Sequence, residues 1–155
     1  MSQYIHKSHN VSVLLYHLIL PTKYRRAIVT APVEATLRDI CTYIEVCYEV
    51  WFLEIGSDRD HVHFLVQTVP TMSPTALVRM LKSLTTRQLN SRLPTLRKEL
   101  WGASFWSSGY FISTVGLHGN ESTISSYVRN QGQESEYRVV YQAPPDSRQL
   151  ELFSD

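Results

Sequence analysis

Two of the chain's six histidines, His61 and His63, lie one residue apart within the stretch DHVHFLV at residues 60–66. The stretch is rich in strand-forming residues, and side chains alternate along a strand. Both imidazoles therefore point to one face, while Val62 and Phe64 point to the other. Polar rings on a buried strand cost free energy unless they are hydrogen-bonded or bind something. Such a pair can bind one divalent cation or a phosphate, although surface hydrogen bonds would satisfy it equally well.

A tyrosine and a glutamine far along the chain could act together with this pair. Tyr127 and Gln131 are four residues apart in a helical pattern, so they lie on one helical face. A phenol can act as a nucleophile, and a carboxamide oxygen can join two imidazoles around a cation. Taken alone, an exposed helical face is the commoner reason for this spacing. The sequence contains no Cys-x-x-Cys or His-Glu-x-x-His motif, which argues against a closed structural zinc site.

Basic residues are concentrated in two segments, although the net charge is only +1. Residues 1–33 and residues 61–98 contain no acidic residue at all. A basic surface is what a polyanion would need, unless acidic residues return beside it in the fold. The basic residues in question are Lys7, Lys23, Arg25 and Arg26 in the first segment, and Arg79, Lys82, Arg87, Arg92, Arg97 and Lys98 in the second.

The hydrophobic pattern predicts an α+β fold. Strand-like and helical segments follow in the order strand, helix, strand, strand, helix, strand, helix. This is the split βαβ pattern of a ferredoxin-like or RNA-recognition-type antiparallel sheet (βαββαβ), with helices on one face and an extra C-terminal helix. The predicted strands are residues 11–20, 50–55, 61–69 and 110–115, with a turn at 56–59, and the predicted helices are 33–48, 73–90 and about 120–133.

Length and composition indicate one reduced, cytoplasmic domain. The 155 residues are 43% hydrophobic and 19% charged, which excludes disordered and fibrous classes. The longest apolar run, residues 11–20, is too short to span a bilayer, and the N-terminus lacks the layout of a signal peptide. We expect residues 1–142 to form the domain, residues 143–155 to be an extended or flexible tail, and Cys41 and Cys47 to be free structural thiols.

Several short motifs follow one another along residues 9–135. They are Tyr16-His17-Leu18 running into Lys23-Tyr24-Arg25-Arg26, then Asp60-His61-Val62-His63, Leu81-Lys82, Trp106 to Phe111, Ser113 to Gly116, and finally Tyr127 to Gln131. In this order they resemble the small single-tyrosine transposases of the HUH superfamily, which bacterial and archaeal insertion sequences encode. The ordered set is far more specific than any one motif.

The resemblance implies an enzyme that cuts and rejoins single-stranded DNA at the ends of its element. By position, Tyr127 is the implied nucleophile, which forms a 5′-phosphotyrosine link and releases a 3′-hydroxyl. The implied ligands of a divalent metal, Mg²⁺ or Mn²⁺, are His61, His63 and Gln131. Asp60 adjoins the pair, but by alternation it points to the opposite face from His61 unless the strand starts after it.

The resemblance also implies partners for the chain. Members of the family recognise DNA hairpins near the element ends, and they form homodimers in which the tyrosine helix of one subunit can complete the active site of the other. The contacts with DNA that this implies are Lys23, Tyr24, Arg25, Arg26, Arg79, Lys82 and Arg87, with Tyr24 as a stacking group.

Two other functions compete with this interpretation. A non-catalytic nucleic-acid-binding module could use the same sheet topology, but the sequence lacks an evident aromatic-rich recognition strand. A domesticated relative could nick repeated hairpins for its host instead of moving an element. The sequence alone does not separate that second function from transposition.

Overall fold

The computed structural model describes residues 5–7, 10–12, 14–101, 104–115 and 137–144, with side chains from residue 14 onward. The strands in these ranges are β1 (Ile5–Lys7), β2 (Asn10–Ser12), β3 (Leu14–Pro21), β4 (Trp51–Asp58), β5 (His61–Thr68), β6 (Phe111–Thr114) and β7 (Arg138–Gln142). The helices are α1 (Ala31–Cys47), α2 (Pro74–Arg92) and α3 (Pro94–Glu99), and a 3₁₀ turn covers Lys23–Arg25.

Five strands form one antiparallel sheet in the order β6-β3-β5-β4-β7, while β1 and β2 form a separate hairpin. Strand β5 lies in the centre. On one side Ile19 of β3 is opposite His63, and on the other side Gly56 of β4 is opposite the same residue. Helix α1 connects β3 to β4, and α2 lies between β5 and β6 in the chain. The predicted α+β class and the split βαβ order are therefore confirmed.

The hydrophobic core lies between the sheet and the helices α1 and α2. Its sheet side is formed by every second residue of β5, namely Val62, Phe64 and Val66, all fully buried. The ring centroids of Phe64 and Phe52 are 5.9 Å apart. Other fully buried members of the core are Leu18, Leu20, Leu37, Ile44, Ile55, Leu77, Leu81 and Leu89.

Helix α2 begins as the sequence predicts. Ser73 is its N-cap, and the side-chain oxygen accepts a hydrogen bond from the backbone N–H of Ala76 at 3.1 Å. Pro74 occupies the first turn, where its missing N–H costs nothing. Within the described residues, no helix is both long enough and apolar enough to cross a membrane.

Two predicted elements near the sheet are wrong in their bounds. The segment predicted as a single strand from residue 11 is divided, because Asn10–Ser12 pairs with β1 and β3 begins only at Leu14. The turn predicted at 56–59 is instead part of β4, which continues to Asp58 and leaves only Arg59 and Asp60 for the turn. Gly-Ser-Asp is a turn-forming composition, but here the pairing with β5 keeps it extended.

Strand β1, helix α3 and strand β7 were not predicted, and one predicted element is not described. Helix α3 follows α2 directly, and β7 pairs antiparallel with β4 as a fifth strand at the edge of the sheet. The segment of β7 belongs to the last part of the predicted domain and not to the tail. The predicted helix at about 120–133 and most of the predicted tail lie outside the described residues.

Gly56 of β4 leaves room for the side chain of the residue that precedes β7. Its neighbour is the Tyr137 side chain, whose hydroxyl and ring carbon would overlap any Cβ atom at this position. The tyrosine hydroxyl in turn donates a hydrogen bond to Glu54 at 3.0 Å. A glycine in mid-strand is thus required by the close approach of an aromatic ring and not by a turn.

We expect Gly56→Ala to lower the free energy of unfolding by about 1–3 kcal/mol, the usual cost of overpacking. The added methyl group must displace the Tyr137 side chain from Glu54. In the double variant with Tyr137→Ala, most of this penalty should disappear, because nothing remains to be displaced. Urea denaturation of the four proteins measures this cycle. Strictly additive losses would show that the two side chains do not meet.

Candidate active site

His61 and His63 lie together on the face of the sheet opposite the one packed against α1 and α2. Their ring centroids are 4.7 Å apart in an edge-to-face arrangement, and the two residues are 3% and 1% exposed. The prediction from alternation is confirmed, since Val62 and Phe64 point into the helix-covered core. The neighbouring strands place Pro21 and Asp58 on either side of His61.

Three of the four imidazole nitrogens in this pair have no hydrogen-bond partner in the part of the chain that the structure describes. They are Nε2 of His61 and both Nδ1 and Nε2 of His63. A buried polar atom left without a partner costs about 1–3 kcal/mol, so such atoms usually serve a ligand. Neutral imidazoles with free lone pairs are the donors that a divalent cation accepts, so the pair fits one. Among the described residues, no hydrogen bond of the kind that the sequence left open as an alternative reaches these nitrogens.

Asp60 sets the tautomer of His61. Its Oδ1 lies 2.6 Å from Nδ1 of His61, so the ring must donate its proton there and keep the lone pair on Nε2. Strand β5 starts at His61, so Asp60 lies in the turn. The alternation of side chains along the strand therefore does not place Asp60 on the opposite face from His61. A carboxylate behind a histidine in this way is typical of metal sites, where it fixes the ring and raises its basicity.

Arg25 and Thr22 hold Asp60 in place. The Arg25 guanidinium donates from Nε to Oδ2 of Asp60 at 3.1 Å. The main-chain carbonyl of Asp60 accepts two hydrogen bonds from Thr22, one from the backbone N–H at 2.9 Å and one from the hydroxyl at 3.0 Å. Partial burial raises the pKa of the Asp60 carboxyl. The hydrogen bond from His61 and the charge of Arg25 lower this pKa by a larger amount, so it is below its ordinary value.

His63 is neutral over the whole physiological pH range. Burial, together with the neighbouring His61 and His17, lowers its pKa to about 3, against the opposing charge of Asp58. The lone pair of His63 is therefore not blocked by a proton at neutral pH. Both rings of the pair thus offer nitrogen atoms to a ligand, one through its fixed tautomer and the other through its burial.

A buried carboxylate lies on the other side of His63. Glu54 of β4 is 3% exposed and accepts hydrogen bonds from the Tyr137 hydroxyl at 3.0 Å and from Nε2 of Gln142 at 3.4 Å. The Tyr137 ring also meets His63 edge to face, with centroids 5.5 Å apart. Sequence reasoning missed this group. The run Arg-Val-Val-Tyr-Gln at 138–142 has strand-forming composition, and this signal could have predicted a further strand beside the site.

The first group of predicted DNA contacts forms a corner after β3. Tyr24 is 72% exposed, with the Lys23 ammonium 5.3 Å and the Arg26 guanidinium 5.9 Å from its ring centroid. Tyr24 and Arg25 both adopt left-handed backbone conformations, with φ of 58° and 53°. Arg26 donates to the main-chain carbonyl of Glu99 at 2.7 Å. An exposed aromatic ring between two cations is a surface suited to a nucleic acid.

The second group, on α2, does not lie with the histidine pair. Helix α2 belongs to the layer on the opposite face of the sheet, where Arg79 and Arg87 are exposed. Lys82 instead donates to three main-chain carbonyls, those of Ser107 at 2.8 Å, Ser108 at 3.2 Å and Gly109 at 3.1 Å. Burial lowers the pKa of the Lys82 ammonium. This lysine therefore binds a loop of its own chain.

The predicted nucleophile and third ligand are not part of the described structure. Tyr127 and Gln131 both lie outside the described residues, so their positions relative to the histidine pair stay predictions. Among the described residues, no three His, Cys, Asp or Glu side chains come together in a group that could hold a metal ion. Of the predicted ligand set, the structure places only the two histidines.

Most of the chain matches one known family. Residues 10–131 match the family model described as "Transposase IS200 like". The chain is 30% identical over 118 residues to the ISDra2 transposase TnpA of Deinococcus radiodurans, covering 76% of this chain and 84% of that protein. It is 29% identical over 123 residues to the transposase for insertion sequence element IS200 of Salmonella typhimurium, covering 77% of each.

Two solved structures are similar to the fold. The crystal structure of a candidate transposase from Deinococcus radiodurans R1 superposes with a TM-score of 0.64 at 29% identity, covering 82% of this chain and 98% of that one. A REP-associated tyrosine transposase bound to a REP hairpin superposes with a TM-score of 0.52, covering 80% of this chain and 67% of that one. At 9% identity, this second likeness shows the shared fold alone.

We expect the metal-free protein to lose stability as the pH falls from about 6.5 toward 3. Over this range the unfolded chain binds a proton on His63 that the folded chain, with its pKa lowered from 6.5 to about 3, does not bind. One such group contributes a loss of about 2 kcal/mol in unfolding free energy between pH 7 and pH 5.

Urea denaturation in the presence of a chelator, at pH 7 and at pH 5, measures this loss. His63→Phe is the matched variant, because it keeps a ring in the same space and removes the titrating group. The pH-dependent loss should shrink by about 2 kcal/mol in this variant. An equal loss in both proteins would show that His63 titrates normally.

Proposed function

The chain belongs to the IS200-like transposase family, and on that premise we propose that it cleaves and rejoins single-stranded DNA at the ends of an insertion sequence. The proposed nucleophile is Tyr127, and the proposed ligands of a divalent cation, Mg²⁺ or Mn²⁺, are His61, His63 and Gln131. The observation that supports the metal site most directly is the buried histidine pair, three of whose nitrogens have no hydrogen-bond partner among the described residues.

In the proposed reaction, the Tyr127 oxygen attacks the scissile phosphorus and displaces the 3′ oxygen of the preceding nucleotide. The products are a 5′-phosphotyrosine ester and a free 3′-hydroxyl, so the number of phosphate ester bonds is unchanged. A second 3′-hydroxyl can attack the ester and join new ends without ATP. The phenol must lose its proton during the attack, and its ordinary pKa of about 10 means that it needs activation.

The histidine pair would hold and orient the cation during this step. When bound, the cation would polarise a phosphoryl oxygen and neutralise the charge that develops on it. Asp60 keeps the proton of His61 on Nδ1, so that Nε2 stays available, and burial keeps His63 unprotonated. Arg25 fixes Asp60 and adds a positive charge beside the site.

We further propose that the protein binds hairpin DNA near the element ends and acts as a homodimer, with the tyrosine helix of one subunit able to complete the site of the other. The REP-associated transposase with the similar fold holds a REP hairpin, which supports the first of these proposals. The exposed corner of Lys23, Tyr24 and Arg26 is the surface that we assign to DNA contacts.

A host nickase that acts on repeated hairpins is the second candidate. The REP-associated neighbour gives it some support, but at 9% identity that likeness concerns the fold alone. The identities of 29–30% to transposases of insertion sequences favour transposition. A non-catalytic module is disfavoured by membership of a transposase family.

We expect the protein to form a covalent adduct with single-stranded DNA taken from the flanks of its gene when Mg²⁺ or Mn²⁺ is present. Tyr127→Phe should abolish the adduct, because the nucleophilic oxygen is removed. Denaturing gel electrophoresis with labelled DNA detects the product.

Tyr137→Phe is the matched control for that experiment. Tyr137 is a second tyrosine near the histidine pair, but its hydroxyl already donates to Glu54. The adduct should therefore persist in this variant. An adduct that survives Tyr127→Phe and is lost in Tyr137→Phe would overturn the assignment of the nucleophile.

We expect Asp60→Ala to weaken the binding of Mn²⁺ by about 10- to 100-fold, the usual effect of removing a partner that orients a ligating histidine. Isothermal titration calorimetry of the DNA-free protein measures the affinity. Asp39→Ala removes an exposed carboxylate on α1 and should leave the affinity unchanged. Equal affinity in the native chain and in Asp60→Ala would show that the contact of Asp60 with His61 does not support cation binding.

A further inference from the structure

We propose that the cavity beside His61 binds one unpaired nucleobase of the DNA strand, next to the phosphate that lies at the histidine pair. The cavity has a volume of about 320 Å³, within the range of small-molecule sites. Among the described residues it is lined by Ile19, Pro21, Arg25, His61, Gly109, Tyr110 and Phe111. This proposal rests on the proposed function, because it names the part of the substrate that the same site recognises.

The register of the sheet brings the cavity to the histidines. Phe111 of β6 is opposite Ile19 of β3, and Ile19 is opposite His63 of β5. The three residues form one row across adjacent strands, and directly opposite residues present their side chains to the same face. With strands about 4.8 Å apart, Phe111 stands roughly 10 Å from His63 along this row. One nucleotide can span this distance, with its base at Phe111 and its phosphate at His63.

The walls of the cavity suit a flat aromatic ligand with polar edges. Tyr110 and Phe111 are 43% and 42% exposed, although both carry large apolar rings. Ile19 and Pro21 contribute further apolar surface, and Arg25 a cationic edge. Exposed aromatic rings beside cationic groups are the surfaces on which single-stranded nucleic acids stack their bases. Stacking of this kind requires an unpaired base, since the faces of paired bases are covered in a duplex.

The loop that forms one wall is fixed before any ligand binds. Lys82 holds the carbonyls of residues 107–109, and its ammonium lies 5.4 Å from the centroid of the Tyr110 ring. The backbone N–H of Ser107 donates to the carbonyl of Pro21 at 2.9 Å, which ties the loop to the end of β3. A wall that is already ordered loses little conformational entropy when a base enters.

Arg25 connects this cavity with the histidine pair. Its Nε donates to Asp60, which in turn accepts from His61. Its two Nη groups have no hydrogen-bond partner in the described part of the chain, while the residue lines the cavity. These groups can donate to the edge of a base or to its phosphate. One side chain thus contacts both the histidine-supporting carboxylate and the proposed base site.

The test compares a tetrathymidylate with an abasic strand of the same length, in which every base is absent and the phosphates remain. Binding to the full-length protein is measured by competition against a fluorescent oligonucleotide, with Mn²⁺ present. Phe111→Ala should weaken binding of the tetrathymidylate by roughly 5- to 150-fold, the equivalent of one lost stacking contact. Binding of the abasic strand should be unchanged.

Two further variants complete the test. Phe111→Trp should retain the preference for the base-bearing strand, because a larger ring still stacks. Tyr43→Ala removes an exposed aromatic ring from α1, in the layer across the sheet, and should affect neither strand. Circular dichroism checks that each variant is folded.

Equal weakening of both strands by Phe111→Ala, or no weakening of either, would overturn the proposal. The measurement requires no cleavage, so its outcome is independent of the nucleophile. A chain that forms no adduct but shows the base-dependent loss would contradict the proposed reaction and still support the base site. A chain that forms the adduct but shows no base-dependent loss would support the proposed reaction and contradict the base site.

Discussion

Strand β5 is buried along all eight of its residues, and the arrangement of the site depends on this constraint. Alternation gives one face of the strand to the helix-covered core and the other to His61 and His63. Strands β3 and β4 flank β5 on both sides, so the imidazoles lie at the centre of the sheet. Both are nearly inaccessible to water. A buried polar atom without a partner costs about 1–3 kcal/mol. Binding of a cation by one nitrogen of each ring would remove that cost for those two atoms, which have no partner among the described residues.

The position of the turn between β4 and β5 gives Asp60 its role. Since β4 continues to Asp58, the turn contains only two residues, and Asp60 is free to bind the adjacent histidine. The ion pair between Arg25 and Asp60 adds little to the stability of the fold. The left-handed conformations of Tyr24 and Arg25 cost about 1–2 kcal/mol each, whereas a largely exposed ion pair contributes about 0–1 kcal/mol. The ion pair therefore orients the site more than it stabilises the fold, and backbone strain of this kind is usual at functional positions.

Local patterns in the sequence predicted the parts of the structure that depend on neighbouring residues. Alternation placed the histidines on the correct face, and the Ser73-Pro74 pair placed the start of α2 correctly. The errors arose where pairing and packing override local composition. Residues 56–58 have the composition of a turn, but pairing with β5 keeps them extended, and the approach of Tyr137, about eighty residues later, explains why residue 56 is a glycine. The resemblance implied Lys82 as a DNA contact, and the sequence could not show that this lysine also binds three carbonyls, because they come together only in the fold.

The row of residues across the sheet at His63 is asymmetric, and this decides on which side a base can lie. On the β4 side, Gly56 is covered by the Tyr137 ring, which also meets His63. On the β3 side, Ile19 and then Phe111 leave a cavity, and the Phe111 ring is partly exposed. Within the described residues, aromatic surface next to the histidines is therefore closed toward β7 and open toward β6. In the proposed complex, a DNA strand whose phosphate lies at the histidine pair would extend a base toward β6, where Arg25 and the loop held by Lys82 line the cavity.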